Sequence, residues 1–219
     1  GCKFLVNWGS NTVNTNAHLW SLMVEARKRN GAMIVAVDPY RSPTAEKSDW
    51  HIQPRPGTDA ALALGLMHVI WRDGLTDEDY LSRATVGAPL LRDRVRNDYP
   101  PERVAAITGV DVATIETFAH RLAREQPSLI RLNYGMQRHH GGGMAVRTIA
   151  CLPALIGSWR RPGGGALLST SGAYDFDAMR LTRPDLSPPG TRTINMNQLG
   201  EALVGELPGP PVHALYVYN

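Results

Sequence analysis

The sequence is poor in the residues that build metal centres, disulfide frameworks and nucleic-acid surfaces. Only two of its 219 residues are cysteines, Cys2 and Cys151, which is too few for an iron–sulfur cluster or a structural zinc site. We expect both thiols to be small buried groups rather than half of a disulfide framework. The formal net charge is only +3, and no basic run is interleaved with aromatic residues. A nucleic-acid partner is therefore not predicted.

Long apolar runs are also missing. No stretch reaches the ~18 residues that mark a membrane helix, and no signal peptide is recognisable. The composition, 43% hydrophobic and 20% charged, nevertheless predicts a substantial core. The chain begins close to one apolar strand and ends inside another, so we expect a piece of a longer polypeptide. Cytoplasmic and periplasmic locations both stay open.

What is present begins with a pattern of strand, helix and strand between Lys3 and Asp38. The apolar run Phe4-Leu5-Val6 predicts a buried strand, and Trp8-Gly9-Ser10-Asn11 breaks it. An amphipathic helix follows and closes at Asn30-Gly31, a favourable end for a helix. A second apolar run then ends at Asp38. The order predicts a βαβ unit.

In open parallel sheets, ligands bind beyond the carboxyl ends of the strands. The Gly9-Ser10-Asn11 turn would place backbone N–H groups and a helix N-terminus there, which suits phosphate. Asp38 would end the neighbouring strand, where a carboxylate can accept hydrogen bonds from ribose hydroxyls. The turn is not G-x-G-x-x-G, however. On these residues alone, a nucleotide site and an ordinary packed βαβ unit are both open.

Two further residues near this edge have alternative interpretations. Arg41 lies in a polar loop and either faces solvent or reaches a phosphate or guanine. A short third strand at Trp50–Gln53 leads to the turn Pro56-Gly57-Thr58-Asp59 and a long apolar helix. Asp59 either caps that helix or pairs with guanine N–H groups, and the cap is favoured on sequence alone.

A second informative stretch follows a strand at Ser128–Asn133. It contains Gly135, Met136, Gln137 and His139, and it precedes a helix at Met144–Ile156. A strand end rich in glycine and histidine permits close approach of a ligand. The vicinal histidines His139 and His140 point in different directions in most conformations, so no joint metal site is predicted.

The predicted fold is a Rossmann-like α/β/α sandwich with a mainly parallel sheet over residues 1–161. Its strands should end near Trp8, Val37, Gln53 and Asn133, along one edge. Residues 162–219 should form a connecting segment and the first strand, Ala214–Tyr218, of a second α/β unit.

In this order and spacing, the landmarks resemble the molybdopterin oxidoreductases of the dimethyl sulfoxide reductase family. The pieces that carry the resemblance are Trp8-Gly9-Ser10-Asn11, Val37-Asp38-Pro39 with Arg41, Arg55-Pro56-Gly57-Thr58-Asp59-Ala60, Ile107-Thr108-Gly109-Val110, Gly135-Met136-Gln137-Arg138-His139, Leu155-Ile156-Gly157, Arg161-Pro162-Gly163-Gly164-Gly165 and Ala214-Leu215-Tyr216-Val217-Tyr218-Asn219. Each piece is weak alone, but together they cover nearly the whole chain.

The resemblance implies that this domain binds part of a bis(molybdopterin guanine dinucleotide) cofactor with molybdenum. It places the first turn at the pterin–pyrophosphate side, the two aspartates and Arg41 near ribose and guanine, and the glycine-histidine stretch near the pterin and the metal. Asn219 would serve the second dinucleotide. The implied cofactor-binding residues are Gly9, Ser10, Asn11, Asp38, Arg41, Gly57, Asp59, Gly135, Met136, Gln137, His139 and Asn219.

In the family, the protein ligand to molybdenum lies upstream of the Trp-Gly-Ser-Asn strand, as does an iron–sulfur segment where one exists. Cys2 does not match the ligand position. The resemblance therefore implies no catalytic residue and no metal ligand in this chain, which should be inactive alone. The whole protein would be an oxidoreductase that transfers oxygen atoms or electrons, with an unidentified small-molecule substrate and electron-transfer subunits as partners.

Two other classes remain. One is a non-catalytic relative, like the large iron–sulfur subunit of respiratory complex I, which shares the fold but has lost the molybdenum cofactor. The other is an ordinary dinucleotide-binding dehydrogenase domain, which the missing G-x-G-x-x-G argues against. Metal analysis of the whole protein would distinguish a non-catalytic relative from a molybdenum enzyme. Titration with NAD(P)H would test for a dehydrogenase domain.

Overall fold

A computed structural model describes residues 1–168 and 174–217. The chain divides into two compact units, 1–171 and 172–219. The strands are β1 (Phe4–Trp8), β2 (Met33–Val37), β3 (Trp50–Ile52), β4 (Ser128–Leu132) and β5 (Gly165–Leu167). The helices of the first unit are α1 (Thr12–Thr15), α2 (Ala17–Asn30), α3 (Pro43–Lys47), α4 (Asp59–Arg72), α5 (Glu78–Ala84), α6 (Ala88–Asp98), α7 (Pro101–Thr108), α8 (Val112–Arg124) and α9 (Gly142–Leu155).

The five strands form one parallel sheet in the order β3-β2-β1-β4-β5. The predicted parallel α/β architecture is therefore confirmed. Its strands end at Trp8, Val37, Ile52 and Leu132, each within one residue of the predicted end. Because the strands are parallel, these ends share one edge, called here the carboxyl edge.

The two faces of the sheet bury clusters of different size. On one face Phe4, Val6 and Trp8 join a large core built with α4, α8 and α9. On the other face Leu5 and Ile34 pack in a small cluster that includes Met23 of α2. Alternate residues of a strand point to opposite faces, so neighbouring residues of β1 belong to different layers.

The sheet continues past position 161. Gly165–Leu167 pairs with β4, so the fifth strand lies in the segment that the sequence assigned to the connection. The glycines at 163–165 concealed this strand. Gly165 has φ +106, and an added Cβ would come within 2.4 Å of the Trp159 ring, so backbone conformation and close packing both account for this glycine.

The second unit has two short helices in its described part, α10 (Ala178–Thr182) and α11 (Leu199–Leu203). The strand predicted at Ala214–Tyr218 is not formed at 214–217, which is its described portion. Tyr218 and Asn219 lie outside the described residues.

Candidate functional site

A pocket of about 770 Å³ opens at the carboxyl edge, where β1, β2 and β4 end. Eight of the predicted site residues line it: Gly9, Asn11, Asp38, Gly57, Asp59, Gly135, Met136 and His139. Eight further lining residues were not predicted: Thr15, Asn16, Pro39, Pro56, Arg131, Asn133, Tyr134 and Arg138. Ser10, Arg41 and Gln137 are not among its lining residues, and Asn219 lies outside the described part of the chain.

The floor of the pocket depends on the contact between Gly9 and Met136. Gly9 has φ +59, and its N–H donates to the Val37 carbonyl over 2.9 Å. A Cβ at this position would stand 2.5 Å from the Met136 sulfur, and one at Gly135 would stand 3.2 Å from the Gly9 oxygen. Two glycines thus let the β1 turn and the segment after β4 approach closely.

The turn after β1 differs from the expected phosphate-binding geometry. Ser10 is buried, and its hydroxyl lies 2.9 Å from that of Thr12, which itself donates to Asn7 Oδ1 over 2.6 Å. The helix that starts beside the turn is the four-residue α1. The longer α2 begins at Ala17, with the Asn16 side chain as its cap. Sequence pattern missed this break because Asn and Thr are common both in turns and at helix starts.

Asp38 lies half-buried at the end of β2. Its carboxylate accepts one hydrogen bond in the described chain, from the Tyr40 N–H over 3.0 Å. Asp38 lines the pocket, and its carboxylate has further lone pairs that can accept hydrogen bonds from a ligand. Arg41 follows two residues after Pro39 in the same loop but is exposed, as the solvated-loop interpretation expects.

Asp59 is the buried carboxylate of the site, 7% exposed at the first turn of α4. Its Oδ1 accepts a hydrogen bond from the Trp8 indole N–H over 2.8 Å, a contact that joins α4 to β1. The cap interpretation is wrong, because Thr58 holds the cap position and no side-chain cap bond is made there. Burial raises the pKa of Asp59, while the Trp8 hydrogen bond and the charge of His139 act in the opposite direction.

The loops after β3 and β4 meet across the pocket. Gly57 has φ +79, and a Cβ there would lie 4.0 Å from His139 Nδ1. Residues 134–137 form a single 3₁₀ turn, which turns Met136 inward at 3% exposure and Gln137 outward. His139 lines the pocket and His140 does not, so the prediction that vicinal histidines would diverge is consistent with their positions.

Arg131 is the lining residue that the sequence pattern concealed. It lies within β4 at 5% exposure, and its Nη1 donates to the Leu168 carbonyl. Burial lowers its pKa, and in the described chain no carboxylate forms an ion pair with it. The signal was the sequence Ser128-Leu129-Ile130-Arg131-Leu132, in which a charged residue interrupts an otherwise buried strand.

The described ranges contain no group of three or more His, Cys, Asp or Glu side chains that could hold a metal ion. Of the helices described, none is long and apolar enough to span a membrane.

Comparison with known proteins gives a consistent result. The sequence matches the molybdopterin oxidoreductase family over residues 2–205. It is 45% identical to the probable oxidoreductase YoaE of Bacillus subtilis over 99% of this chain and 32% of that protein. It is 30% identical to the dimethyl sulfoxide reductase DmsA of Haemophilus influenzae over 92% of this chain and 27% of that protein.

Among solved structures, acetylene hydratase from Pelobacter acetylenicus matches with a TM-score of 0.65 and 33% sequence identity. The match covers 71% of this chain and 21% of that one. The chain therefore spans about a third or less of the length of these relatives.

Proposed function

This chain belongs to the molybdopterin oxidoreductase family, and we propose that its carboxyl edge binds one guanine dinucleotide of a bis(molybdopterin guanine dinucleotide) cofactor. The observation that carries the proposal is the 770 Å³ pocket, which brings Asp38 and Asp59 to the same edge from β2 and α4. Had the two carboxylates stood at opposite edges, one nucleotide could not have reached both.

The residues of the pocket fit a guanine nucleotide. Asp59 Oδ2 and the Asp38 carboxylate can accept hydrogen bonds from guanine N–H groups and ribose hydroxyls. Gly9 and Gly135 leave backbone exposed, and a Cβ at Gly9 would clash with Met136. Arg138 and His139 also line the pocket, and their N–H groups can donate hydrogen bonds to a phosphate.

When bound, the cofactor supplies a redox-active molybdenum held by dithiolene sulfurs. The role proposed for this chain is to bind and orient one dinucleotide and to exclude water from it, with no metal ligand of its own. The whole protein would transfer oxygen atoms or electrons, while the isolated chain would be inactive. The substrate, the electron-transfer partners and any iron–sulfur cluster belong to the rest of that protein. We also propose that Asn219 contributes to the site of the second dinucleotide.

The test uses the full-length protein, produced in a host that makes the cofactor. Asp38→Ala should lower both the molybdenum content and the GMP released by acid hydrolysis several-fold, because a ribose acceptor is lost. Asp93→Ala is the matched control, since Asp93 is exposed on α6 and is not among the lining residues of this pocket. Full cofactor content in Asp38→Ala would remove Asp38 from the site. Wild-type protein that lacks molybdenum under the same conditions would favour the non-catalytic alternative.

A further inference from the structure

Two buried donor nitrogens lack an acceptor within the described residues. They are Asn7 Nδ2 and Arg131 Nε, on side chains that are 1% and 5% exposed. Buried polar groups are nearly always hydrogen-bonded, so each such atom requires an explanation. Two unpaired donors beside no unpaired acceptor indicate an acceptor that the described residues do not supply.

The two residues are neighbours. Asn7 and Arg131 are register partners on β1 and β4, so their backbones lie about 4.8 Å apart and their side chains leave the same face of the sheet. Thr12 donates to Asn7 Oδ1, which uses the acceptor of that amide and leaves its Nδ2 unpaired. Arg131 lines the pocket at the carboxyl edge.

The charge of Arg131 decides between a water molecule and an anion. A buried guanidinium without a counter-ion is strongly unfavourable, and the group cannot lose its proton at ordinary pH. A water molecule would satisfy the hydrogen bonds but not the charge. An oxyanion satisfies both, because one oxygen can accept from each donor.

We propose that Arg131 and Asn7 form an oxyanion subsite that holds the phosphate part of the ligand at the end of β4. The identity of the ligand rests on the proposed function; the subsite itself rests on the unpaired donors. The sequence had assigned phosphate to the Gly9-Ser10-Asn11 turn. There the Gly9 N–H already donates to Val37, the Ser10 hydroxyl is paired with Thr12, and the helix that follows has only four residues.

Inorganic pyrophosphate and guanosine separate the two proposals in the 219-residue chain. The first probe carries only phosphate, and the second carries only base and ribose. Pyrophosphate should shift the Arg131 Nε–H resonance in ¹⁵N spectra, while guanosine should shift the Trp8 indole N–H, which is bonded to Asp59.

Arg131→Met should weaken pyrophosphate binding at least tenfold. It should also raise the Tm of the ligand-free chain by about 2–4 °C, since an uncompensated buried charge is removed. Arg124→Met is the control, because Arg124 is exposed on α8. This substitution removes the same charge and should change neither the pyrophosphate affinity nor the Tm. Asn7→Asp is a second variant: its carboxylate supplies the missing counter-ion, so it should also weaken pyrophosphate binding and stabilise the ligand-free chain.

Each outcome decides between the proposals. The subsite is overturned if wild type, Arg131→Met and Asn7→Asp bind pyrophosphate equally. It is also overturned if pyrophosphate leaves the Arg131 resonance unchanged. A buried water would then be the acceptor. Guanosine binding in that case still supports the nucleotide site. Pyrophosphate binding at Arg131 without any guanosine binding establishes the anion subsite and contradicts the proposed nucleotide function.

Discussion

Asn7 and Trp8 are consecutive residues of β1, yet they face opposite sides of the sheet and differ in whether the polar groups around them are hydrogen-bonded. On the large-core side, the Trp8 indole donates to the buried carboxylate of Asp59 over 2.8 Å. On the other side, Asn7 lies beside the buried Arg131, and both retain an unpaired nitrogen in the described chain. Within the described residues, the buried carboxylate therefore has a hydrogen-bond donor, whereas Asn7 Nδ2 and Arg131 Nε have no acceptor.

This difference gives the pocket two ends of opposite character. Asp38 and Asp59 form an acceptor end beside β2, while Arg131 of β4 lies on the other side of β1 and forms a donor end. A ligand that suits both ends carries hydrogen-bond donors at one end and an anion at the other, as a guanine nucleotide does. Substitutions of the lining residues and their contacts show how much each end contributes to the stability of the chain.

The largest effect should follow substitution of Gly9, which lies between the two ends. Gly9→Ala introduces a Cβ 2.5 Å from the Met136 sulfur at φ +59. We expect a loss in the free energy of unfolding of about 2–5 kcal/mol, from a left-handed backbone and from overpacking. Urea denaturation measures it.

Gly31→Ala is the matched control for that measurement. Gly31 has φ +65, but no atom lies within 4 Å of an added Cβ, so only the backbone cost of about 1–2 kcal/mol applies. Equal losses in the two variants would mean that Met136 moves aside freely, and that the Gly9 contact does not shape the pocket.

A smaller loss should follow from removal of the donor at the acceptor end. Trp8→Phe leaves the buried Asp59 without the indole N–H, which should cost about 1–3 kcal/mol in the free energy of unfolding. Trp50→Phe is the control: both rings pack against Phe118, at 6.0 and 5.9 Å between centroids, but no hydrogen bond from the Trp50 indole occurs in the described chain. If both variants lose the same stability, packing rather than the hydrogen bond accounts for the effect.

The sequence predicted the architecture well for a clear physical reason. Apolar runs of strand length, each followed by a turn, alternate with helical periodicity, and this pattern requires a parallel sheet covered by helices. The position of Asp38 and Asp59 at one edge then follows from the parallel order alone. What the pattern could not give was the direction of individual side chains beyond the strand ends, as for Gln137 and Arg41.

Two local errors have the same origin. The sequence placed the N-terminus of the long helix at the Gly9-Ser10-Asn11 turn and assigned Asp59 to the cap of α4, because Asn and Asp are good cap formers. In the structure, tertiary contacts take these side chains instead: Asn11 accepts a hydrogen bond from Thr44 and Asp59 accepts one from Trp8. Residues distant in sequence supply these contacts, so local propensity cannot reveal them. Arg131 escaped notice similarly, since its importance depends on its neighbour across the sheet.

The pH dependence of stability should reveal the buried carboxyl. The pKa of Asp59 lies above its ordinary value of 3.8 in the folded chain, so between these two pKa values the folded state binds more protons than the unfolded state. Stability that comes from this group is therefore lost as pH rises through that window, and the full loss remains at neutral pH.

Asp59→Asn removes this titration but keeps an oxygen that can accept from Trp8. The variant should be more stable than wild type at pH 7, and the difference should shrink as the pH falls toward 3.8. Urea denaturation between pH 4 and 8 gives the comparison, with a flat difference as the contradicting result. Asp111→Asn supplies a contrast of opposite sign, because hydrogen bonds from Thr114 lower the pKa of Asp111 and its contribution is lost as pH falls.

The smallest effect on stability should come from Asp38, although it lies on the same edge as Asp59. Its carboxylate is half-buried and accepts only the Tyr40 N–H in the described chain, within its own loop. Asp38→Ala should therefore change the free energy of unfolding by less than about 0.5 kcal/mol, as for most surface substitutions. Together with reduced cofactor content, this result would identify a carboxylate that serves the ligand and not the fold. A loss as large as that of Trp8→Phe would instead make Asp38 a structural residue of its turn, and Asp59 would then be the only one of the two carboxylates left to the proposed site.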